Sequence, residues 1–245
     1  MAEIGRVAQL WRYPVSSLAG ETLLELSIGA DGAVGDRLFG VVDRETGAPA
    51  KPDSESKWAA IPFVRSRTAA SGRVQISIDG RSWLDAPGKE CDLALAEHFG
   101  FRVALRPFTR VAAPDFDGDL TAPRYQRAPL HLLTTASLAR LKALHPSAAA
   151  DARRFRPNIV VEMPEVQGAF PETGWIGRRL AIGEVELTIH EPCRRCGFTI
   201  LAQEGFPNDP EILRSLVRNN NRNIGVYCMV DRPGRLAVGE AMRLI

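Results

Sequence analysis

The segment HEPCRRCGFTI, residues 190–200, holds two of the chain's four cysteines three positions apart, with Arg194 and Arg195 between them. Four chemistries fit that spacing: a disulfide, half of a structural zinc site, a redox dithiol, or a soft-metal ligand in a basic pocket. A structural zinc site needs four ligands, usually two such pairs. Only one pair is present, so His190, Cys91 or Cys228 would have to converge on it from a distance. A thioredoxin-like dithiol sits where a strand feeds a helix, whereas the following run, GFTILA, is β-branched and apolar without a helix signature. Two incidental thiols on a strand are the plainest alternative. Charge argues against it. The two arginines favour thiolate over thiol at whichever cysteine they approach, and thiolate is the ligand that soft metals take.

A second basic cluster, ARRFRPN (152–158), alternates Arg153, Arg154 and Arg156 with apolar residues ahead of the strand pattern PNIVVEM. Guanidinium forks match phosphate oxygens, so a bound anion is one meaning of the cluster. A solvated basic edge is the other.

The elements that must position these residues read as follows. The first part of the chain is strand-rich, with frequent turns. RVAQLWRYPV is interrupted by Pro14, TLLELSI alternates, GADGAVGD is a glycine-rich turn, and RVQISIDG puts Val74, Ile76 and Ile78 on one face. CDLALAEHFG predicts a short helix capped by Asp92 and ended by Gly100, and FRVALRPF a strand. Residues 110–129, rich in Pro, Asp and Gly, predict a loop and the seam between two domains, 1–112 and 113–245. TTASLARLKALH predicts a helix capped by Thr134 or Thr135, with Leu138, Leu141 and Leu144 at helical spacing. EVELTIHEP alternates, with Val185, Leu187 and Ile189 inward and Glu184, Glu186 and His190 outward. NDPEILRSLVRN has Asp209 before Pro210 and Glu211 in the first turn, a strong helix start. IGVYCMV predicts a strand, and LAVGEAMRLI a last strand pair.

With 245 residues the chain can bury a core without disulfides or metals. It is 45% hydrophobic and 24% charged, with a net charge of +2, which gives no bulk attraction to nucleic acid or membrane. The opening residues lack an apolar run of about 7–15 residues after a basic start. No segment approaches the ~20 apolar residues of a membrane span. The expectation is a cytoplasmic protein with reduced thiols and no nucleic-acid or membrane partner.

Five segments in order, VAQLWRYPVSSLAGE, GDRLFGVVD, FRPNIVVE, PCRRC and IGVYCMVDRPGRLAVGE, make nearly the whole chain resemble the MOSC proteins. It is most similar to their two-part form with an N-terminal β-barrel domain, as in amidoxime-reducing components. The resemblance implies a mainly β (α+β) fold with a few helices and two β-barrel-like domains, with a molybdenum–pterin cofactor in the cleft between them. It implies that Cys196 ligates molybdenum and is the catalytic centre, with Cys193 a neighbour. It implies cofactor contacts from Ser17, Arg37, Thr134, Thr135, Arg156 and Asn158, and Arg195, beside the cysteines, is expected to bind the cofactor as well. Two positions depart from the family: Ser16 stands where amidoxime-reducing members carry lysine, and Ala202 where an aspartate is frequent.

The activity implied is reduction of N-hydroxylated or similar small molecules, with electrons from a separate donor protein. His190 and Glu191 are near enough in sequence to supply protons. A Cys196 persulfide that carries sulfur or handles cofactor is a second expectation. A cofactor-binding module without catalysis is a third.

Overall fold

The computed structural model describes residues 3–108, 121, 129–164 and 169–245. Its strands and α-helices follow in the order β1 (Glu3–Arg12), β2 (Glu21–Leu23), β3 (Glu25–Gly29), β4 (Gly32–Ala33), β5 (Phe39–Asp43), β6 (Arg65–Thr68), β7 (Val74–Ser77), β8 (Leu84–Ala86), α1 (Lys89–Phe99), β9 (Val103–Pro107), β10 (Leu130–Thr134), α2 (Thr135–Leu144), β11 (Ile159–Glu162), β12 (Arg179–Ile182), β13 (Val185–Arg194), α3 (Pro210–Asn220), β14 (Asn223–Arg232), β15 (Gly234–Ala237) and β16 (Ala241–Leu244). The protein is therefore mainly β with a few helices, as expected.

The chain divides into two compact units. The first takes residues 1–11, 22–34 and 127–245, and the second 12–21 and 35–126. The expected seam between 112 and 113 lies outside the described residues, as does nearly all of the expected 110–129 loop.

In the first unit, β11, β10, β14, β13, β12, β16 and β1 follow one another round a ring that closes where β11 pairs back to β1. Closure leaves no free edge. The β10–β11 pair is parallel and the other ring pairs are antiparallel. A parallel pair needs a crossover, and α2 lies in it. Val185, Leu187 and Ile189 are fully buried with Val7, Leu10, Leu132 and Val226, while His190 is exposed. The alternation read from EVELTIHEP is therefore what faces the barrel core. The β13–β14 register shifts between Ile189 and Glu191 and again between Pro192 and Arg194. Such irregularities bend a strand and re-aim its side chains, and here they fall on the run into the cysteine pair.

A second core lies under α2 and α3, where Leu141, Ile212 and Leu216 pack with Phe155 and Val160. Thr134 caps α2 by accepting a hydrogen bond from Ser137 N, and Asp209 caps α3 by accepting from Glu211 N. The expected closing strand pair resolves differently. β15 pairs with β3, and β16 with β1 and β12, so the two last strands serve separate sheets.

In the second unit, β5 pairs with β9, and β6, β7 and β8 form a three-stranded sheet. Trp58, Ile61, Ile76, Leu95 and Leu105 fill the core with Val41 and Leu18. Gly100 ends α1 in a left-handed turn, φ 77°, as expected. Asp92 does not cap α1. The helix begins a turn earlier, after Gly88, because Cys91 must enter the core. The Asp92 carboxylate instead accepts from Leu105 N at 2.8 Å and pairs with Arg106 at 3.1 Å.

Candidate functional site

The two cysteines of PCRRC have different surroundings. Cys193, on β13, is fully buried, and Arg195 Nη1 donates to its sulfur at 2.6 Å. Cys196 follows the strand end, opens a short 3-10 turn at Gly197–Ile200 and is partly exposed. Among the described residues, no hydrogen bond engages the Cys196 sulfur. All four cysteines are free thiols. Burial pushes Cys91 and Cys228 up to about 12, so both resist becoming thiolate.

The loop that presents Cys196 is fixed through its backbone. The Cys196 carbonyl accepts from Thr199 Oγ1 at 3.0 Å and Thr199 N at 3.3 Å. Arg195 N donates to Arg222 O at 2.9 Å. Arg154 is wholly buried, and its guanidinium donates to the carbonyls of Ala149, Thr199, Leu201 and Pro207 at 2.8–3.3 Å. That clamp holds the turn directly after Cys196, so the thiol sits on a rigid support.

Arg195 completes this arrangement. Its Nη2 donates to Phe155 O at 2.6 Å, while its Nε is buried with no hydrogen-bond partner among the described residues. Burial works against its charge, but Cys193, Tyr227 and Cys196 outweigh that and hold its pKa above the ordinary value. Arg194 is exposed. The guanidinium of Arg156 lies 5.2 Å over the Phe198 ring, one residue beyond the Phe155 carbonyl that Arg195 holds. The structure thus brings Cys196, Arg195 and Arg156 to one region of the first unit.

The other residues of the basic cluster are occupied differently. Arg153 pairs with Asp151 at 3.0 Å. Asn158 is fully buried: its Oδ1 accepts from His131 N at 3.2 Å and its Nδ2 donates to Trp11 O at 3.4 Å. Its amide buttresses the barrel wall. Thr134 and Thr135 also have partners. Thr135 Oγ1 donates to Met163 O at 3.3 Å and accepts from Met163 N at 3.1 Å.

Thr134 belongs to a network that the sequence did not signal. Glu172 is fully buried, and its Oε2 accepts from Thr134 Oγ1 at 2.8 Å and Ser137 Oγ at 2.6 Å, while Oε1 accepts from Gly225 N at 3.0 Å. Burial raises its pKa above the usual carboxylate range, with the donors opposing. Gly225 is tightly enclosed at φ 77°: a Cβ there would meet His131 Nε2 at 2.2 Å. Val226, next along β14, sits opposite Pro192, next to Cys193. Glu172 lies in the short 3-10 helix Pro171–Trp175, whose five residues are too few for a periodicity to flag it.

In the second unit, Ser17 and Arg37 occupy adjoining turns. Arg37 N donates to Tyr13 O at 2.7 Å and Ser16 N to Phe39 O at 2.8 Å. The Arg37 guanidinium pairs with Asp36 and lies 5.1 Å over the Tyr13 ring. Ser17, Arg37 and Arg156 have φ of 69°, 48° and 54°, and the other described non-glycine residues with positive φ are Asn221 and Arg222. Such conformations cost of order 1–3 kcal/mol each and concentrate where ligands are held.

Comparison with known proteins places this arrangement in a class. The chain belongs to the MOSC domain family: the MOSC domain matches residues 106–243, and the MOSC N-terminal beta barrel domain matches residues 4–105. It is similar to human mitochondrial amidoxime-reducing component 1, 27% identical over 100% of this chain and 84% of that protein. It is also similar to human mitochondrial amidoxime reducing component 2, 25% identical over 98% and 83%. The YUAD protein of Bacillus subtilis has a similar fold, with a TM-score of 0.50 at 13% identity, covering 98% of this chain and 94% of that one. Among the described residues, no helix is long and apolar enough to cross a membrane.

Proposed function

We propose that this protein holds a molybdenum–pterin cofactor through Cys196 and reduces N-hydroxylated small molecules. The observation that carries the proposal is the contrast within the pair: Cys193 is sealed against Arg195, whereas Cys196 offers a partly exposed, unengaged sulfur on a braced turn. The donor set suits such a group. Among the described residues, no three His, Cys, Asp or Glu side chains converge as metal ligands. One soft thiolate suits a metal that brings most of its own ligands, and nearby guanidiniums suit a phosphate-bearing carrier.

The residues then divide the work. Cys196 supplies the protein's sulfur ligand. Arg156 and Arg195 bind anionic oxygens, Arg195 through the Nε that lacks a partner. Thr134 and Thr135, at the start of α2, set the local backbone, and Asn158 holds the RPN turn to the barrel. When bound, molybdenum would supply the two-electron redox chemistry. For a hydroxylamine-type substrate, two electrons and two protons cleave the N–O bond, leaving the amine and water. Electrons come from a separate donor protein, and His190, exposed on β13, is placed to exchange protons with solvent.

The test uses protein from a host able to make the cofactor. Wild type is expected to carry molybdenum and pterin and to reduce an aromatic amidoxime with a chemically reduced viologen as donor. Cys196→Ser is expected to lose the metal, and Cys193→Ser to retain it. Metal-free wild type from that host would refute the proposal. Metal-loaded wild type without turnover would leave a cofactor-binding module. The unengaged sulfur also suits a persulfide, which a one-sulfur mass adduct confined to Cys196 would reveal.

A further inference from the structure

The second unit carries a pocket of about 480 Å³ formed by residues of α1, the stretch from Arg102 to Arg106 and Arg44. That volume lies within the range of small-molecule sites. Its lining has an uneven charge. Four cations, Arg44, Lys89, Arg102 and Arg106, face one carboxylate, Asp92. Asp92 is already engaged, receiving Leu105 N and Arg106. Among the described residues, Arg44, Lys89 and Arg102 have no carboxylate partner, whereas Arg12, Lys57 and Arg73 of the same unit do.

The backbone gathers these charges. Arg44 N donates to Arg102 O at 3.0 Å where β5 runs beside β9, so the two arginines are neighbours by construction. Like charges sharing one hollow create a positive potential that an anion relieves. The remaining lining is apolar, from Leu93, Ala96 and Val103, and Leu93 is 62% exposed on a helix whose Cys91 and Leu95 are buried. An isolated phosphate would use the cations and leave Leu93 in water, and an uncharged apolar molecule would do the reverse.

We propose that this pocket binds a small organic anion: a carboxylate or phosphate head group on a short apolar body. The site is separate from the cysteine segment and does not rest on the function proposed for it.

The test is titration calorimetry on the full chain at low ionic strength with hexanoate and hexyl phosphate, which distinguish the two head groups. Hexanol and inorganic phosphate serve as arms lacking charge or body. Saturable single-site binding of at least one amphiphilic anion is expected, at least about tenfold tighter than hexanol or inorganic phosphate. Arg44→Glu with Arg102→Glu should weaken it by about tenfold or more, and Leu93→Ser by about threefold. These side chains are exposed, so melting temperature should hold in each variant, and the ligand series on wild type stands without them. The proposal fails if neither anion saturates, if hexanol or inorganic phosphate binds as tightly, or if the double reversal leaves affinity unchanged.

Discussion

Arg154 and Arg195 both carry a guanidinium into the region around Cys196, and they are bonded in contrasting ways. Arg154 is wholly buried and reaches four backbone carbonyls from three stretches of chain. Burial depresses its pKa, with Asp209 and Asp151 opposing, and each of its three nitrogens already donates to a carbonyl. Arg195 holds one carbonyl and one sulfur and leaves Nε buried without a hydrogen bond. A buried cation whose every nitrogen holds a carbonyl is a staple. One with a donor left over, beside a half-exposed thiol, is ready for an anion.

Substituting each arginine by methionine tests this contrast most severely. Arg154→Met strips four carbonyls of their donor, and the cost should be about 3–5 kcal/mol of unfolding free energy, read by urea denaturation. Arg195→Met should cost less than about 2 kcal/mol yet lower molybdenum retention by about tenfold or more. If Arg195→Met unfolds the chain while Arg154→Met only loses metal, the roles are reversed and the division between staple and site is wrong.

Glu172 extends the comparison to a carboxyl group. It ties Thr134 and Ser137 of α2 to Gly225 of β14. Glu172→Ala leaves three donors unmatched in the interior and should cost about 3 kcal/mol. Glu172→Gln should cost far less, because hydroxyls can rotate to accept from its amide. The pH dependence has a definite sign. The folded carboxyl holds its proton above the ordinary range. The unfolded chain therefore releases that proton first as pH rises. The contribution to stability is full below the ordinary carboxylate value and declines as pH rises through the folded one. Glu172→Gln should flatten that decline in urea midpoints measured across pH. An unchanged slope would mean that another group carries it.

Sequence and structure agree where one residue answers to one neighbour. The inward face of EVELTIHEP, the caps by Thr134 and Asp209, and the left-handed Gly100 depend on local spacing, and all three were legible. The cysteine pair stood out in the sequence, but not which cysteine is sealed. That depends on strand irregularities that bury Cys193 and release Cys196. The arginines of ARRFRPN looked alike, because alternation does not reveal that carbonyls 45–53 residues downstream in the chain capture Arg154. Glu172 was invisible for the same reason, since its three partners lie 35–53 residues away. Asp92 misled because a cap signal competes with tertiary demand. Cys91 had to be buried, so the helix began earlier and the carboxylate found Arg106.

Thr134 offers a finer test. Its hydroxyl both caps α2 and donates to Glu172. Thr134→Ala should cost about 1–2 kcal/mol. Combined with Glu172→Gln, the loss should fall short of the sum, because the two side chains share one network. Strict additivity in urea unfolding would show that cap and carboxyl act independently, and that helix α2 does not depend on the buried carboxyl.

Arg153 gives the smallest expected effect and the clearest contrast with its neighbour. It lies one residue from Arg154 in the same basic run, but its side chain is 41% exposed and pairs with Asp151, itself 36% exposed. It also stacks on Phe206 at 4.2 Å. An exposed ion pair is worth less than about 1 kcal/mol in water, and salt weakens it further. Arg153→Ala should therefore change urea stability by less than about 1 kcal/mol and leave metal content intact. A loss of metal would show that the first arginine of the run binds the carrier as well. A loss of several kcal/mol would show that the Phe206 contact, not the carbonyl clamp at Arg154, braces the chain after Cys196.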